Sequence, residues 1–96
     1  MSDNPKLLSK TIIIPNKLGL HARASAKLVK TANRFRSTIQ LMNDKNKTAN
    51  AKSIMGVMML GASKGTSLTI NTQGLDEKDA LNAIIELIEN KFDEEE

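Results

Sequence analysis

Hydrophobic residues recur along this chain with two different spacings, and each change of spacing marks a predicted strand or helix. Alternating stretches such as Ser37–Met42 and Thr66–Thr72 are typical of strands that bury one face. Apolar residues at i, i+3, i+4 and i+7 near the C-terminus are typical of a helix instead. In chain order, the predicted elements are strand 1 at Lys10–Pro15, helix 1 from Ala22 to about Asn33, strand 2 at Ser37–Met42, strand 3 from Thr48 to about Ala51, helix 2 at Ile54–Leu60, strand 4 at Thr66–Thr72 and helix 3 after Asp76.

The residue types at the helix ends and along the helix faces refine these predictions. Ser53 is the expected N-cap of helix 2 and Gly61 closes that helix, while Asp76 can cap helix 3. Helix 3 is expected to bury one apolar face formed by Leu81, Ile84, Ile85 and Ile88. Helix 1 is expected to bury a stripe of mostly small residues, namely Ala22, Ser25, Ala26, Val29 and Asn33, widened by Leu28, Ala32 and Phe35.

The order of these elements, βαββαβα, indicates the fold class. Four strands and three helices with one apolar face each predict a two-layer α+β domain, in which an antiparallel sheet is covered by helices on one side. A chain of 96 residues suffices for one such domain, which we expect to span residues 1–96. Residues 1–9 are expected to form a flexible lead-in, and residues 93–96 an acidic tail.

Composition excludes several classes of function. The chain has no Cys and one His, so it has no disulfide framework, no thiolate nucleophile, and no Cys-based or His-rich metal centre. We therefore expect neither a metal nor a cofactor. Its apolar runs are short and its first residues do not form a signal peptide, which predicts a cytoplasmic protein without membrane insertion.

Charge is distributed unevenly along the chain. Residues 1–75 carry 12 Lys and Arg against 2 Asp and Glu, whereas residues 76–96 carry 2 against 9. A basic body favours acidic partners, which include proteins, phosphorylated groups and nucleic acid. The only aromatic residues are Phe35 and Phe92, so no stacking platform for bases is available and nucleic acid is not an expected partner.

His21 is the residue whose chemistry stands out. It lies at the start of predicted helix 1, where unpaired backbone N–H groups and a partial positive charge favour an arriving anion. Arg23 adds a fixed cation that forms paired hydrogen bonds with phosphate, and Gly19 permits a tight turn just before the ring. The pattern favours a small phosphoryl-handling site, but a helix-capping or merely exposed histidine would give the same pattern.

Ser53 and the apolar residues of helix 2 each have a structural and a functional interpretation. A serine at an N-cap is ordinary capping chemistry, although a phosphoryl group on the same hydroxyl would also benefit from the helix start. Helix 2 is apolar on nearly every side, and so short a helix cannot bury all of it. We expect Val57, Leu60 and Met59 to face inward, and Ile54, Met55 and Met58 to face outward as an adaptable docking patch, the alternative being that all six are core.

Two segments at characteristic positions resemble the HPr family of bacterial histidine phosphocarriers. They are Asn16–Ser25, which reads NKLGLHARAS, and Ala51–Gly65, which reads AKSIMGVMMLGASKG. The resemblance runs from about Lys10 to Phe92. It implies an open-faced β-sandwich with sheet order 1-4-2-3.

The resemblance also implies roles for individual residues. His21 would be phosphorylated at Nδ1 by enzyme I of the phosphoenolpyruvate phosphotransferase system and would pass the phosphoryl group to an EIIA-type domain. Arg23 would support the phosphate, and Ser53 would be the serine that HPr kinase/phosphorylase modifies in some bacteria. The docking surface would comprise Leu20, Ala22, Ile54, Met55 and Met58. The protein would act as a monomeric carrier and not as an enzyme in its own right.

Two departures bear on the branch of the family. Ala24 stands where the family often has proline, which removes no chemical group from the site. The Phe92-Asp-Glu-Glu ending and, more weakly, Ala24-Ser25 are similar to NPr, the carrier of the nitrogen-related branch. We therefore expect a regulatory carrier, the alternatives being an HPr of sugar transport or a binding module controlled through Ser53.

Overall fold

The computed structural model describes residues 7–93, and seven regular elements follow one another in the predicted order. The observed bounds are β1 at Leu8–Ile13, α1 at Ala22–Ala32, β2 at Thr38–Met42, β3 at Thr48–Asn50, α2 at Ile54–Met59, β4 at Ser67–Gln73 and α3 at Glu77–Glu89, followed by a 3-10 turn at Lys91–Asp93.

The strands form one antiparallel sheet in the order β1-β4-β2-β3, which confirms the predicted fold class. Strand β4 lies between β1 and β2, so Ile70 pairs with Lys10 on one side and with Leu41 on the other. Alternation in β4 places Leu68, Ile70 and Thr72 in the core, while the intervening residues face the open side of the sheet.

All three helices lie against the core face of this sheet. Helix α3 packs on β4 and β1, while α1 packs against both α2 and α3. The helices contribute Leu28, Val57, Ile84 and Ile88 to the core, all fully buried. Burial of such side chains contributes roughly 1.5–3 kcal/mol each to the stability of this helical layer.

The first strand begins earlier than the sequence predicts. Leu8 and Ser9 pair with Thr72 and Asn71 of β4, so the prediction of a flexible lead-in through residue 9 is wrong for these two residues. Leu-Ser-Lys has weak strand propensity, and pairing with a neighbouring strand decides its conformation instead. Residues 1–6 of the expected lead-in and residues 94–96 of the expected acidic tail lie outside the described residues.

Helix α1 buries a different face from the predicted stripe. Its buried residues are Ala24, Ser25, Leu28 and Ala32, whereas Ala22, Ala26 and Asn33 are exposed. The predicted stripe was therefore wrong for Ala22, Ala26 and Asn33. Burial of the large Leu28 side chain determines which face of the helix is turned toward the core. The small residues that face the core are Ala24, Ser25 and Ala32, which lie on the same side of the helix as Leu28.

Asp76 does not cap α3 with its side chain. Its carboxylate instead accepts hydrogen bonds from the Arg36 N–H at 3.0 Å, the Ser37 N–H at 2.9 Å and the Ser37 hydroxyl. The Ser37 hydroxyl and the Arg36 amide stabilise the charged form and lower the pKa of Asp76 to about 2. Asp76 therefore joins the start of α3 to the start of β2.

A left-handed turn follows α3. Lys91, Phe92 and Asp93 all have positive φ, which the turn tolerates because the Phe92 ring is fully buried in the core. The Lys27 ammonium donates to the Phe92 carbonyl at 2.7 Å, so the end of the described chain is fastened to the middle of α1.

Candidate functional site

His21 is the N-cap of α1, as the sequence predicts. Its backbone is extended, with φ −76° and ψ −179°, and its carbonyl accepts the first helical hydrogen bond from the Ser25 N–H at 2.8 Å. Its Nδ1 accepts a hydrogen bond from the Arg23 N–H at 3.2 Å. A ring nitrogen that accepts carries a lone pair, so this hydrogen bond assigns the proton of the neutral ring to Nε2 and the lone pair to Nδ1.

The loop before His21 is braced by a glycine and a buried asparagine. Gly19 has φ +63°, and the Leu20 N–H beside it donates to the Ala62 carbonyl at 2.9 Å. Asn16 is fully buried and its side-chain amide donates to the Gly19 carbonyl at 2.8 Å. The bracing role of Asn16 was not predicted, because a lone asparagine in a loop carries no sequence signal for burial.

Leu20 was predicted to belong to the docking surface, and this prediction is wrong. Its side chain is only 5% exposed and belongs to the hydrophobic core. The backbone turn that exposes the neighbouring Ala22 directs Leu20 inward, where it anchors the loop. Ala22 therefore remains available at the surface next to His21, and Leu20 does not.

Arg23 is the second residue of α1, and it is exposed. No acidic side chain occupies the first turn of this helix, so an anion at His21 would meet no like charge there. The first backbone amides of a helix have no acceptor within it, and they point toward its N-terminal end. The start of α1 therefore presents backbone amides and the exposed Arg23 side chain in the same helical turn that His21 caps.

Ser53 caps α2 as predicted. Its hydroxyl oxygen accepts a hydrogen bond from the Gly56 N–H at 3.2 Å, and the side chain is exposed. Helix α2 packs against α1, so Ser53 belongs to the same pair of helices as His21. The Ser53 hydroxyl therefore already has a structural role as the helix cap. Because the side chain is exposed, this hydroxyl is also accessible from solvent.

The apolar residues of α2 divide between core and surface. Val57 and Leu60 are buried, and Ile54, Met55 and Met58 are exposed, which confirms five of the six predictions. The sixth is wrong, because Met59 is 61% exposed. At 100° per residue, Met59 lies on the side of the helix opposite the Val57–Leu60 face, so helical periodicity itself excludes it from the core.

The exposed apolar surface extends beyond α2. Leu18, in the loop that leads to His21, is also exposed, and no sequence pattern predicted this exposure. We define the docking patch as Ala22, Ile54, Met55 and Met58. Two of these four residues are methionines, whose unbranched and flexible side chains adapt in shape.

Two further features of the described chain bear on the type of site. Between residues 7 and 93, no helix combines the length and the apolar character needed to cross a membrane. Over the same residues, His and acidic side chains form no group of three or more that could hold a metal ion.

Comparison with known proteins places this geometry in a family. Residues 8–90 match the family model described as PTS HPr component phosphorylation site. The phosphocarrier protein HPr of Xylella fastidiosa (strain 9a5c) is 51% identical over 89 residues, which cover 93% of this chain and 99% of that protein. The HPr of Pseudomonas aeruginosa is 52% identical over 85 residues, covering 88% and 94% respectively.

Solved structures agree. The crystal structure of HPr-C-His from Thermoanaerobacter tengcongensis superposes with a TM-score of 0.88 at 49% identity, covering 93% of this chain and 99% of that one. The match spans all seven elements and both segments that carry the resemblance. The chain belongs to the HPr family of phosphocarrier proteins of the bacterial phosphotransferase system.

Proposed function

We propose that His21 carries the phosphoryl group, accepting it at Nδ1 from phosphorylated enzyme I and passing it to an EIIA-type domain. The observation that supports this most directly is the hydrogen bond from the Arg23 N–H to Nδ1, which directs the lone pair of that nitrogen to the start of α1. The Nδ1 lone pair attacks phosphorus, the bond between phosphorus and the donor breaks, and the donor leaves with that electron pair. Nε2 keeps its proton throughout.

The first turn of α1 stabilises the transferred group. When phosphorus bonds to Nδ1, the Arg23 N–H loses its acceptor and can donate to a phosphoryl oxygen instead. The Arg23 guanidinium balances the added charge without titrating. Transfer to the EIIA-type acceptor is the same displacement in reverse, with Nδ1 as the leaving group.

Partners complete the site by docking on the patch of Ala22, Ile54, Met55 and Met58. These residues are exposed and lie on α1, which His21 caps, and on α2, which packs against α1. On this proposal the protein is a phosphorylated intermediate in the cytoplasm, acting as a monomer, and catalytic groups beyond His21 and Arg23 are supplied by each partner. It is a carrier and not an enzyme on its own.

Control through Ser53 is a second candidate function, and the exposure of its hydroxyl favours it. A phosphoryl group on Ser53, added by a kinase of the HPr kinase/phosphorylase type, would place negative charge directly beside Ile54. Docking of partners on the apolar patch would weaken as a result. This regulation is independent of whether the carrier serves sugar transport or the nitrogen-related branch.

Phosphotransfer assays test the proposal and the branch together. The protein is incubated with phosphoenolpyruvate and either the sugar-branch or the nitrogen-branch enzyme I. We expect an acid-labile, base-stable phosphate on His21, formed faster with the nitrogen-branch donor. Equal labelling of the His21→Ala variant would contradict the assignment of His21, whereas faster transfer from the sugar-branch donor would contradict only the branch.

A further inference from the structure

Ser25 donates two hydrogen bonds to consecutive carbonyls at the start of α1. Its backbone N–H donates to the His21 carbonyl at 2.8 Å, and its hydroxyl donates to the Leu20 carbonyl at 3.1 Å. The side chain is fully buried, and Leu20 is part of the core. One residue therefore holds both peptide groups that flank the His21 side chain.

The Ser25 hydroxyl donates to the Leu20 carbonyl, which would accept a backbone hydrogen bond if α1 began one residue earlier. In an α-helix each N–H donates to the carbonyl four residues earlier, so a helix extended by one residue would pair the Ala24 N–H with the Leu20 carbonyl. Here the Ser25 hydroxyl donates to that carbonyl, and within residues 7–93 the Ala24 N–H forms no backbone hydrogen bond with it. The helix therefore begins at Ala22, with His21 as its cap.

We propose that Ser25 is a positioning residue for His21. By fixing the two peptide groups around His21, it holds Nδ1 on the Arg23 amide. By satisfying the Leu20 carbonyl, it keeps the Ala24 amide available as an additional donor to a phosphoryl oxygen. The second role rests on the proposed phosphorylation of His21, whereas the first is a property of the unmodified protein.

Removal of the hydroxyl has a definite structural consequence. In Ser25→Ala the Leu20 carbonyl is left without its donor in a buried environment, and the nearest replacement is the Ala24 amide. If the Ala24 amide turns to it, the cap moves from His21 to Leu20 and the contact between Nδ1 and the Arg23 amide is lost.

A matched control exists at the start of α3. Thr72 is also fully buried, and its hydroxyl donates to the Glu77 carbonyl at 2.9 Å, so Thr72→Val deletes the same kind of hydrogen bond away from His21. Thr72→Val measures the purely structural cost of such a deletion. Ser25→Cys, which keeps the size but has a weak donor, replaces Ser25→Ala if alanine prevents folding.

The experiment combines amide chemical shifts with single-turnover phosphoryl uptake from enzyme I. We expect Ser25→Ala to move the Arg23 amide resonance upfield and to slow uptake about fivefold, as loss of one hydrogen bond in the transition state predicts. Thr72→Val should change neither. In the wild-type protein, phosphorylation should shift the Ala24 amide downfield.

Each outcome separates this proposal from the proposed function. An unchanged Arg23 resonance and uptake rate in a folded Ser25→Ala variant would overturn the positioning role. An unshifted Ala24 amide in phosphorylated wild-type protein would overturn its role as a donor. If wild-type protein takes up no phosphoryl group, the proposed function fails, but the Arg23 resonance still decides whether Ser25 positions His21.

Discussion

Gly19 lies directly against the backbone of Ala62, and Leu20 donates its N–H to the Ala62 carbonyl at 2.9 Å. A Cβ at position 19 would fall inside van der Waals contact with that carbonyl oxygen and 2.8 Å from the Ser63 Cα. The loop before His21 and the segment after α2 are thus joined backbone to backbone. This contact fixes the position of the His21 loop relative to the end of α2.

The first prediction compares alanine at two glycines with nearly the same backbone conformation. Gly19 has φ +63° and is crowded, while Gly61 has φ +64° and a Cβ there would meet no atom within 4 Å. Gly61→Ala should cost about 1 kcal/mol for the left-handed conformation alone. Gly19→Ala should cost about 3 kcal/mol, because crowding against backbone adds about 2 kcal/mol.

Urea denaturation of both variants measures this difference directly. Equal losses in the free energy of unfolding would show that the close approach of Gly19 to Ala62 contributes nothing to stability.

The second prediction concerns acid stability. The pKa of Asp76 is lowered from its usual 3.8 to about 2, so the folded protein binds a proton at this carboxyl less readily than the unfolded chain does. The stabilisation it provides is fully present above about pH 4 and is lost as the pH falls toward 2. Asp76→Asn should therefore lower stability at neutral pH and flatten the loss of stability between pH 4 and pH 2.

Asp79 provides the matched control, because it is an exposed aspartate in the first turn of the same helix. Denaturant titrations at several pH values should show the flattened profile in Asp76→Asn and a profile like wild type in Asp79→Asn. Identical profiles in the two variants would contradict the role of the Ser37 and Arg36 contacts.

The third prediction tests the docking patch. Met55 is 66% exposed, so Met55→Gln should leave the free energy of unfolding unchanged within about 0.5 kcal/mol. It should raise the KM for this protein in transfer from enzyme I roughly tenfold, as loss of an apolar anchor at an interface predicts, with little change in kcat.

Leu75→Gln is the control, because Leu75 is also exposed, at 93%, but lies away from the His21 loop. Leu75 is in the turn that follows the end of β4, whereas the His21 loop adjoins the beginning of that strand. A KM raised equally by both substitutions would indicate that general surface hydrophobicity, and not the patch, governs docking.

The fourth prediction separates the two roles of Ser53. Ser53→Ala removes the acceptor of the Gly56 N–H and should cost about 1 kcal/mol of stability with little effect on transfer. Ser53→Asp keeps a capping oxygen, so stability should be retained, but its negative charge beside Ile54 should slow transfer. Thermal unfolding and transfer rates measured on both variants test these two roles. If transfer were slowed in Ser53→Ala but not in Ser53→Asp, the proposed effect of negative charge at this position would be contradicted.

Features decided by neighbouring residues were predictable from the sequence. The start of α1 directly after His21, the Ser53 cap and the exposure of Met55 all follow from spacing within a few residues. The strand order came from the family resemblance, which combined two separate segments at characteristic positions.

Features decided by distant contacts were not predictable. Asp76 was expected to cap its own helix, but its carboxylate is used by Arg36 and Ser37, about forty residues earlier in the chain. Leu20 was expected at the surface, but the direction of its side chain depends on the approach of Ala62. Hydrophobic periodicity describes the faces of an element and does not specify which distant groups meet its ends.

The position of the phosphoryl group after incubation with phosphoenolpyruvate and enzyme I decides whether His21 is the carrier residue. Nitrogen NMR of the imidazole distinguishes Nδ1 from Nε2, and His21→Ala provides the control. If His21 carries the phosphoryl group, we expect one phosphoryl group per chain, bound to Nδ1 of His21 and absent from the variant. Phosphate on Nε2, on another residue, or at the same level in His21→Ala would contradict this assignment.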